Sequence, residues 1–276
     1  MKIACGDRTL DLTQPRVMGI LNTTPDSFSD GGRFAQLDRG VQHALRMIEE
    51  GADIIDIGGE STRPGALPVS EQEEMDRVLP VLEKIRSEAD VLLSVDTSSA
   101  QLMTEAARCG ANLLNDVRAL QRPGALAAAA ATGLPVCLMH MQGQPATMQQ
   151  EAHYDDVVAT VKTFLLSRIE ACEQAGMSKE RLLIDPGFGF GKTVEHNYQL
   201  LNRLSELQSL NLPILAGLSR KAMIGLATQQ EKADRRVIGS VAGALLCVLH
   251  GAGIVRVHDV AETVEALAVM KAMRSS

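Results

Sequence analysis

One rhythm constrains the fold of this chain more than any other feature. A short run of Val, Ile and Leu ends in a polar residue, a loop follows, then a longer amphipathic stretch, and the unit repeats. The apolar runs are Val17–Leu21, Asp53–Ile57, Val91–Val95, Asn112–Leu114, Pro135–Met139, Arg181–Ile184, Pro213–Leu218 and Ile254–Val257. Near-continuous apolar runs suit strands buried on both faces of a parallel sheet. Leu37–Glu50, Ser70–Ser87, Asp155–Ala175 and Glu262–Met273 lie between them and have helical patterning. Ser70 with Glu73 predicts a capping box, and Gly51, Gly110, Gly133 and Gly176 fall where helix C-caps belong. Eight strand–helix units with no internal linker predict an α/β chain closed into a (β/α)8 TIM barrel. Residues 1–276 are read as a single domain. The length fits, since such barrels run to about 250 residues. An open doubly wound sheet is the alternative that the pattern alone leaves standing. Lys2–Cys5 and Thr9–Leu12 flank Gly6-Asp7, which predicts an N-terminal β-hairpin, placed as a plug on the amino-end face.

Composition narrows the partners. The net charge is −7, and no run of Lys and Arg offers the electrostatic footprint that nucleic acid requires. The five cysteines are widely spaced and never form a C-x-x-C pair, which fits reduced thiols rather than disulfides or zinc. The first residues lack an apolar core of the kind a secretory leader carries, so the expected location is cytoplasmic. Ala125–Met139 and Val241–Val255 are apolar but short for a membrane span and broken by glycine, proline or histidine. Each is read as a buried helix running into a buried strand, with no membrane partner.

In barrels of this kind chemistry sits at the carboxyl ends of the strands. Those positions carry Asn22, Glu60 with Ser61-Thr62-Arg63, Asp96, Asn115, His140, Asp185, Ser219-Arg220-Lys221, and Arg256 with His258. Asp96 and Asp185 close very apolar runs, where a carboxylate needs hydrogen-bond donors. Either alone could simply cap loop N–H groups. Together with Asn115 they favour a ligand bearing several N–H donors. The cations gather after strands two, seven and eight, and the last two loops are a frequent phosphate site in this fold. Arg256 interrupts an apolar strand, a poor place for a surface cation. The other histidines (His43, His153, His196 and His250) fall in helices or a loop and are read as bland.

Two near-motifs fail by one residue each. Gly187-Phe188-Gly189-Phe190-Gly191-Lys192-Thr193 resembles a P-loop, but Pro186 stands where the first glycine belongs, and a tight glycine turn is the reading kept. Gly217-Leu218-Ser219-Arg220-Lys221 begins like a nucleophile elbow, but Lys221 replaces the closing glycine.

Two loops carry a long resemblance. Asn22-Thr23-Thr24-Pro25-Asp26-Ser27-Phe28-Ser29-Asp30-Gly31-Gly32 and Gly58-Gly59-Glu60-Ser61-Thr62-Arg63-Pro64-Gly65 resemble the two signatures of the dihydropteroate synthase family. The likeness continues in order through Asp96-Thr97-Ser98, Asn115-Asp116, Met139-His140-Met141, Asp185-Pro186-Gly187-Phe188-Gly189-Phe190, Ser219-Arg220-Lys221 and Arg256-Val257-His258-Asp259. Thr23 departs from the valine more common in the family.

The resemblance implies condensation of 6-hydroxymethyl-7,8-dihydropterin diphosphate with 4-aminobenzoate to 7,8-dihydropteroate and diphosphate, and sensitivity to sulfonamides. It implies that Asp185 and Asn115 bind the aminopyrimidine edge, that Lys221 reaches the ring's other polar atoms, and that Met139 and Phe190 pack its faces. Core packing is the plain alternative for Met139. Asp96 would offset positive charge, Gly217 would border the substrate, and Arg63, Arg256 and His258 would supply positive field to diphosphate. Asn22 would ligate Mg2+, and Phe28, Thr62, Pro64 and Ser219 would form the aminobenzoate pocket. A homodimer is implied as well. Three rivals remain at this level: a corrinoid-linked methyltransferase, a lyase with a Schiff base on Lys221, and a noncatalytic pterin-binding module.

Overall fold

In the computed structural model, residues 1–23, 33–61, 69–143, 148 and 152–275 are described. Strands β1 (Lys2–Cys5) and β2 (Arg8–Asp11) pair antiparallel as the expected hairpin. Eight parallel strands follow: β3 (Arg16–Asn22), β4 (Ile54–Gly58), β5 (Leu92–Asp96), β6 (Leu113–Asp116), β7 (Val136–Met139), β8 (Leu182–Asp185), β9 (Ile214–Ala216) and β10 (Ala252–Val257). They close on themselves in the order β10-β3-β4-β5-β6-β7-β8-β9, which removes the open-sheet alternative.

The helices are α1 (Arg33–Glu49), α2 (Glu71–Glu88), α3 (Ala100–Arg108), α4 (Ala125–Thr132), α5 (Val157–Gln174), α6 (Val194–Asn202), α7 (Ala222–Thr228), α8 (Val237–Leu249) and α9 (Val260–Ser275). Two of them, α7 and α8, share the connection between β9 and β10. β9 is shorter than the run Pro213–Leu218 suggested. The chain leaves the sheet after Ala216, reaches a left-handed Arg220 (φ +59°) and enters α7 with Lys221 as its N-cap. The expected capping box at α2 is only half made. Ser70 Oγ accepts from the Glu73 amide at 3.2 Å, but the Glu73 carboxylate turns to Arg77 instead.

Two apolar layers hold the barrel. Outside it, strand residues such as Leu21, Ile55, Ile57 and Val95 pack against Met47, Leu82, Ile85 and Leu102 of the helices. Inside, at the amino ends, Met18, Ile54, Leu113, Cys137, Leu183, Leu215 and Ile254 meet Ile3, Cys5 and Leu10 of the hairpin, which is therefore the expected plug. Burying each large aliphatic side chain contributes roughly 1.5–3 kcal/mol. Asn112 fixes the plug's polar edge: its amide donates to the Cys5 carbonyl at 3.1 Å while its oxygen accepts from Leu93 N–H at 3.0 Å.

With its floor filled by apolar side chains, the barrel leaves its carboxyl rim for polar chemistry. Register carries the rim residues to one level. Asn22 pairs with Gly58, Gly58 with Asp96, and Asp96 with Asn115, while Met139 lies opposite Asp185. α8 differs from the buried helix expected of Val241–Val255, because it turns Ile238 (86% exposed), Leu246 and Leu249 to the outside. Among the described residues no helix is long and apolar enough to cross a membrane.

Candidate active site

Alternation along a strand turns Asp56 of β4 and Arg256 of β10 into the barrel's interior, where they meet. Arg256 Nε donates to Asp56 Oδ2 at 2.6 Å, and Arg256 Nη2 donates to Asp96 Oδ2 at 3.0 Å. Asp56 Oδ2 also accepts from the Asn115 amide at 3.0 Å. One guanidinium thus joins β10 to β4 and β5, and Asn115 ties in β6. Burial pushes the Asp96 carboxyl up to about 8; Arg256 opposes the rise, and Asp56, Asp116 and Glu74 add to it. Asp56 Oδ1 and Ser94 Oγ, on residues opposed in register, are buried without a hydrogen-bond partner among the described residues. Such groups mark a place for water or a polar ligand atom.

The β8 side supplies a second carboxylate. Asp185 is 6% exposed and accepts from the Gly187 amide at 2.7 Å. Burial raises its pKa, with Lys221 the chief opposing influence. Lys221, the N-cap of α7, donates to the Phe188 carbonyl and holds its ammonium 4.5 Å from the centre of the Phe190 ring. Burial pushes Lys221 down to about 8, against the pull of Asp185. Met139 borders a cavity of about 310 Å³ shared with Val117, Arg118 and Phe164. Arg118 in turn donates to the Glu60 carboxylate at 2.9 Å and to Ser98 Oγ at 3.1 Å, linking the loops after β4, β5 and β6.

The third wall is formed where β10 and β3 end. Ser219 Oγ lies 3.1 Å from His258 Nδ1 and accepts from the His258 amide at 3.2 Å. His258 and Asn22 line a cavity of about 530 Å³ with Arg39, His43 and Arg46 of α1. Gly217 is buried beside Arg256; a Cβ there would stand 3.6 Å from that of Arg256.

Of the residues picked out in the sequence, Asp96 and Arg256 are directly bonded, Asn115 joins Arg256 through Asp56, Asp185 neighbours the Lys221–Phe190 pair, and Ser219 holds His258. Asn22, Met139 and Gly217 border them. Phe28, Thr62, Arg63 and Pro64 lie outside the described residues. Arg220, grouped with the phosphate-binding cations, is engaged elsewhere: its guanidinium grips Asp259, with Nε at 3.0 Å from Oδ2. His43, read as bland, faces the cavity of Asn22 and His258. Sequence reading missed Asp56, although a carboxylate between Ile54-Ile55 and Ile57 carries the same signal that singled out Arg256. It also took Lys192 only as the end of a glycine turn, whereas the side chain is buried beside His140.

A barrel whose rim sets Arg256 and Lys221 among buried carboxylates has known relatives. Residues 18–258 match the model of the pterin binding enzyme family. The dihydropteroate synthase of Escherichia coli (strain K12) is 55% identical over 276 residues, covering 100% of this chain and 98% of that protein. A crystal structure of the Yersinia pestis dihydropteroate synthase with a sulfonamide drug complex aligns over 100% of both chains at 58% identity, with a TM-score of 0.95. The Xanthomonas albilineans dihydropteroate synthase in complex with 7,8-dihydropteroate aligns over 100% of both chains at 50% identity, with a TM-score of 0.92. The chain therefore belongs to the pterin-binding enzymes. Its place among them is with the dihydropteroate synthases, transferases of folate biosynthesis.

Proposed function

We propose that the rim condenses 6-hydroxymethyl-7,8-dihydropterin diphosphate with 4-aminobenzoate, releasing 7,8-dihydropteroate and diphosphate. The observation that carries this reading is the gathering at one rim of buried carboxylates and an amide (Asp96, Asp185, Asn115) with cations set directly among them, Arg256 bonded to Asp96 at 3.0 Å and Lys221 beside Asp185. The Xanthomonas albilineans relative has been crystallised with 7,8-dihydropteroate, the product of this reaction.

Asp185 receives the aminopyrimidine edge, where two adjacent N–H donors can meet one carboxylate. Asn115 completes that edge, Lys221 reaches the ring's acceptors, and Met139 and Phe190 pack the ring faces. The bond between the pterin methylene and the diphosphate oxygen breaks, and its electron pair leaves with diphosphate. The cation left on the methylene is delocalised into the pterin ring, with Asp96 close enough to offset it. The neutral arylamine nitrogen then forms the new C–N bond and releases its extra proton, so the chain needs no nucleophile. Arg63, Arg256 and His258 stabilise charge on the departing group, and such preorganised donors are worth roughly 3 kcal/mol each. Phe28, Thr62, Pro64 and Ser219 form the aminobenzoate pocket, Gly217 gives the substrate room beside Arg256, and sulfonamides compete there.

Asn22 suits Mg2+. Its amide oxygen is a hard ligand facing the cavity shared with His258, and diphosphate and water would complete the shell. When bound, the ion would neutralise charge on the leaving diphosphate.

We further propose one domain over residues 1–276, a cytoplasmic location and a homodimer. Five unpaired thiols support the reducing compartment. The outward Ile238, Leu246 and Leu249 of α8 support a second copy as partner. Diphosphate release from the pterin substrate, measured with and without 4-aminobenzoate, tests the reaction. Release dependent on both substrates is expected, with Asp185→Asn and Lys221→Ala losing nearly all of it. Normal turnover in either variant would refute that residue's role, and borohydride trapping of a carbonyl substrate on Lys221 would favour a lyase instead.

A further inference from the structure

Lys192 lies just past the glycine turn that follows β8 and is only 2% exposed. Its ammonium makes three hydrogen bonds: 2.9 Å to the Gly187 carbonyl, 3.1 Å to the Phe190 carbonyl and 2.9 Å to His140 Nδ1. An ammonium has three N–H donors, so every one is used. While Lys192 is an ammonium, His140 Nδ1 must present its lone pair to it. Burial, reinforced by Lys192 itself, holds the imidazole neutral by pushing its pKa down to about 2. The three acceptors are all uncharged. A buried cation meeting no carboxylate directly is costly to keep, and burial pushes Lys192 down to about 7, with Asp185 opposing and Lys221 adding to the fall. An apolar side chain would fill this space at lower cost, so the three directed bonds are what distinguish lysine here.

Those bonds shape the 187–190 turn. Asn197 Oδ1 also accepts from the Gly189 amide at 2.7 Å, so a second side chain straps the turn. Gly187 sits at φ +70°, and a Cβ there would come within 1.9 Å of the His140 carbonyl oxygen. The turn carries the two groups that meet Lys221, the Phe188 carbonyl and the Phe190 ring. It also supplies the Gly187 amide that donates to Asp185.

We propose that Lys192 is a positioning residue for pterin recognition, a buried clamp that sets the turn holding Phe190 and Lys221 against the ring. This rests on the pterin pocket assigned above to Asp185, Phe190 and Lys221. Lys192 acts through the turn.

The test is calorimetric binding of 6-hydroxymethylpterin, which lacks the leaving group, together with steady-state KM values for both substrates. Lys192→Met should weaken pterin binding about 10-fold or more, roughly 1.4 kcal/mol, while KM for 4-aminobenzoate stays within about twofold, because the turn meets Lys221 and Asp185 of the proposed pterin pocket. His140→Leu removes one acceptor and should weaken pterin binding. His140→Asn offers an oxygen near the position of Nδ1 and should recover most of the loss. If Lys192→Met does not fold, the two His140 variants decide the matter. Wild-type pterin affinity in Lys192→Met, equal losses for both substrates, or equal affinities in the His140 variants would overturn the clamp. Asp185→Asn separates this from the pocket assignment. If that variant binds pterin normally the pocket is wrong; if it fails to bind while Lys192→Met binds normally, only the clamp is wrong.

Discussion

Arg256 Nε donates to Asp56 Oδ2 across 200 residues of sequence, at 2.6 Å and inside the barrel. The bond fixes one edge of the guanidinium, and Asp96 holds another at 3.0 Å. Asp56 also takes the Asn115 amide. A single carboxylate thus aims both Arg256 and Asn115. Asp56→Asn keeps the shape but exchanges an ion pair for a neutral contact. Breaking a buried pair costs roughly 3–5 kcal/mol, and the lower end is expected here because Asp96 still holds Arg256. Misaimed groups should reduce kcat/KM by about 10-fold to 100-fold. Chemical denaturation and steady-state kinetics check both outcomes, and unchanged kinetics with lowered stability would restrict Asp56 to a structural role.

The buried pair also explains what was legible in the sequence. Apolar strand runs, glycine C-caps and the hairpin are local signals, and each reappears in the fold. Strand-end residues were legible because a closed barrel has one chemical rim, so a residue's place on its strand fixes its level. Whom a side chain meets across the barrel is set by closure and register. Asp56 looked like a strand residue until Arg256 was brought to it, and Lys192 looked like part of a turn until His140 arrived from β7. Arg220 shows the converse: its position suggested phosphate, but Asp259 had already engaged it. For α8, hydrophobicity was read as burial, yet the outward face is apolar too.

Asp96 gives stability an unusual pH dependence. In the unfolded chain it ionises near 4, whereas in the fold its pKa is pushed up to about 8. Between those values the fold holds a proton that the unfolded chain has released, so this group's contribution falls as pH rises from about 4 to 8, and Asp96 offsets the pterin cation only once that proton is lost. Asp96→Asn removes the dependence and leaves Arg256 paired with Asp56. Its melting temperature at pH 7 should exceed that of the wild type by roughly 2–4 °C for each kcal/mol relieved, while activity falls. Thermal unfolding between pH 5 and 8 checks this, and identical slopes in both proteins would rule it out.

The hairpin plug should matter to stability without affecting chemistry. Leu10 is buried among the amino-end residues, at the opposite face from Asp96 and Asp185. Leu10→Ala opens a cavity and should cost roughly 2–5 kcal/mol. Below its melting temperature, KM for both substrates should match the wild type. A changed KM would mean that the plug communicates with the rim.

The proposed homodimer makes the most exposed prediction. Ile238, Ala242, Leu246 and Leu249 recur along α8 at intervals of three and four, which places them on one face, and Ile238, Leu246 and Leu249 are exposed. Leu226 of α7 and Val269 and Met273 of α9 are exposed as well, on helices that pack beside α8. Large apolar patches are seldom left to water in a monomer, and these exposed side chains lie on three neighbouring helices. A charge at its centre would have to be desolvated in both copies, since a twofold interface uses the same patch twice. Ile238→Asp combined with Leu246→Asp, two like charges that cannot pair with each other across a twofold axis, should therefore sediment as a monomer at concentrations where the wild type sediments at twice the mass. Each barrel encloses its own Asp96, Asp185 and Lys221, so pterin affinity should survive the separation. A wild-type protein that is monomeric throughout would remove the dimer while leaving the chemistry of the rim untouched.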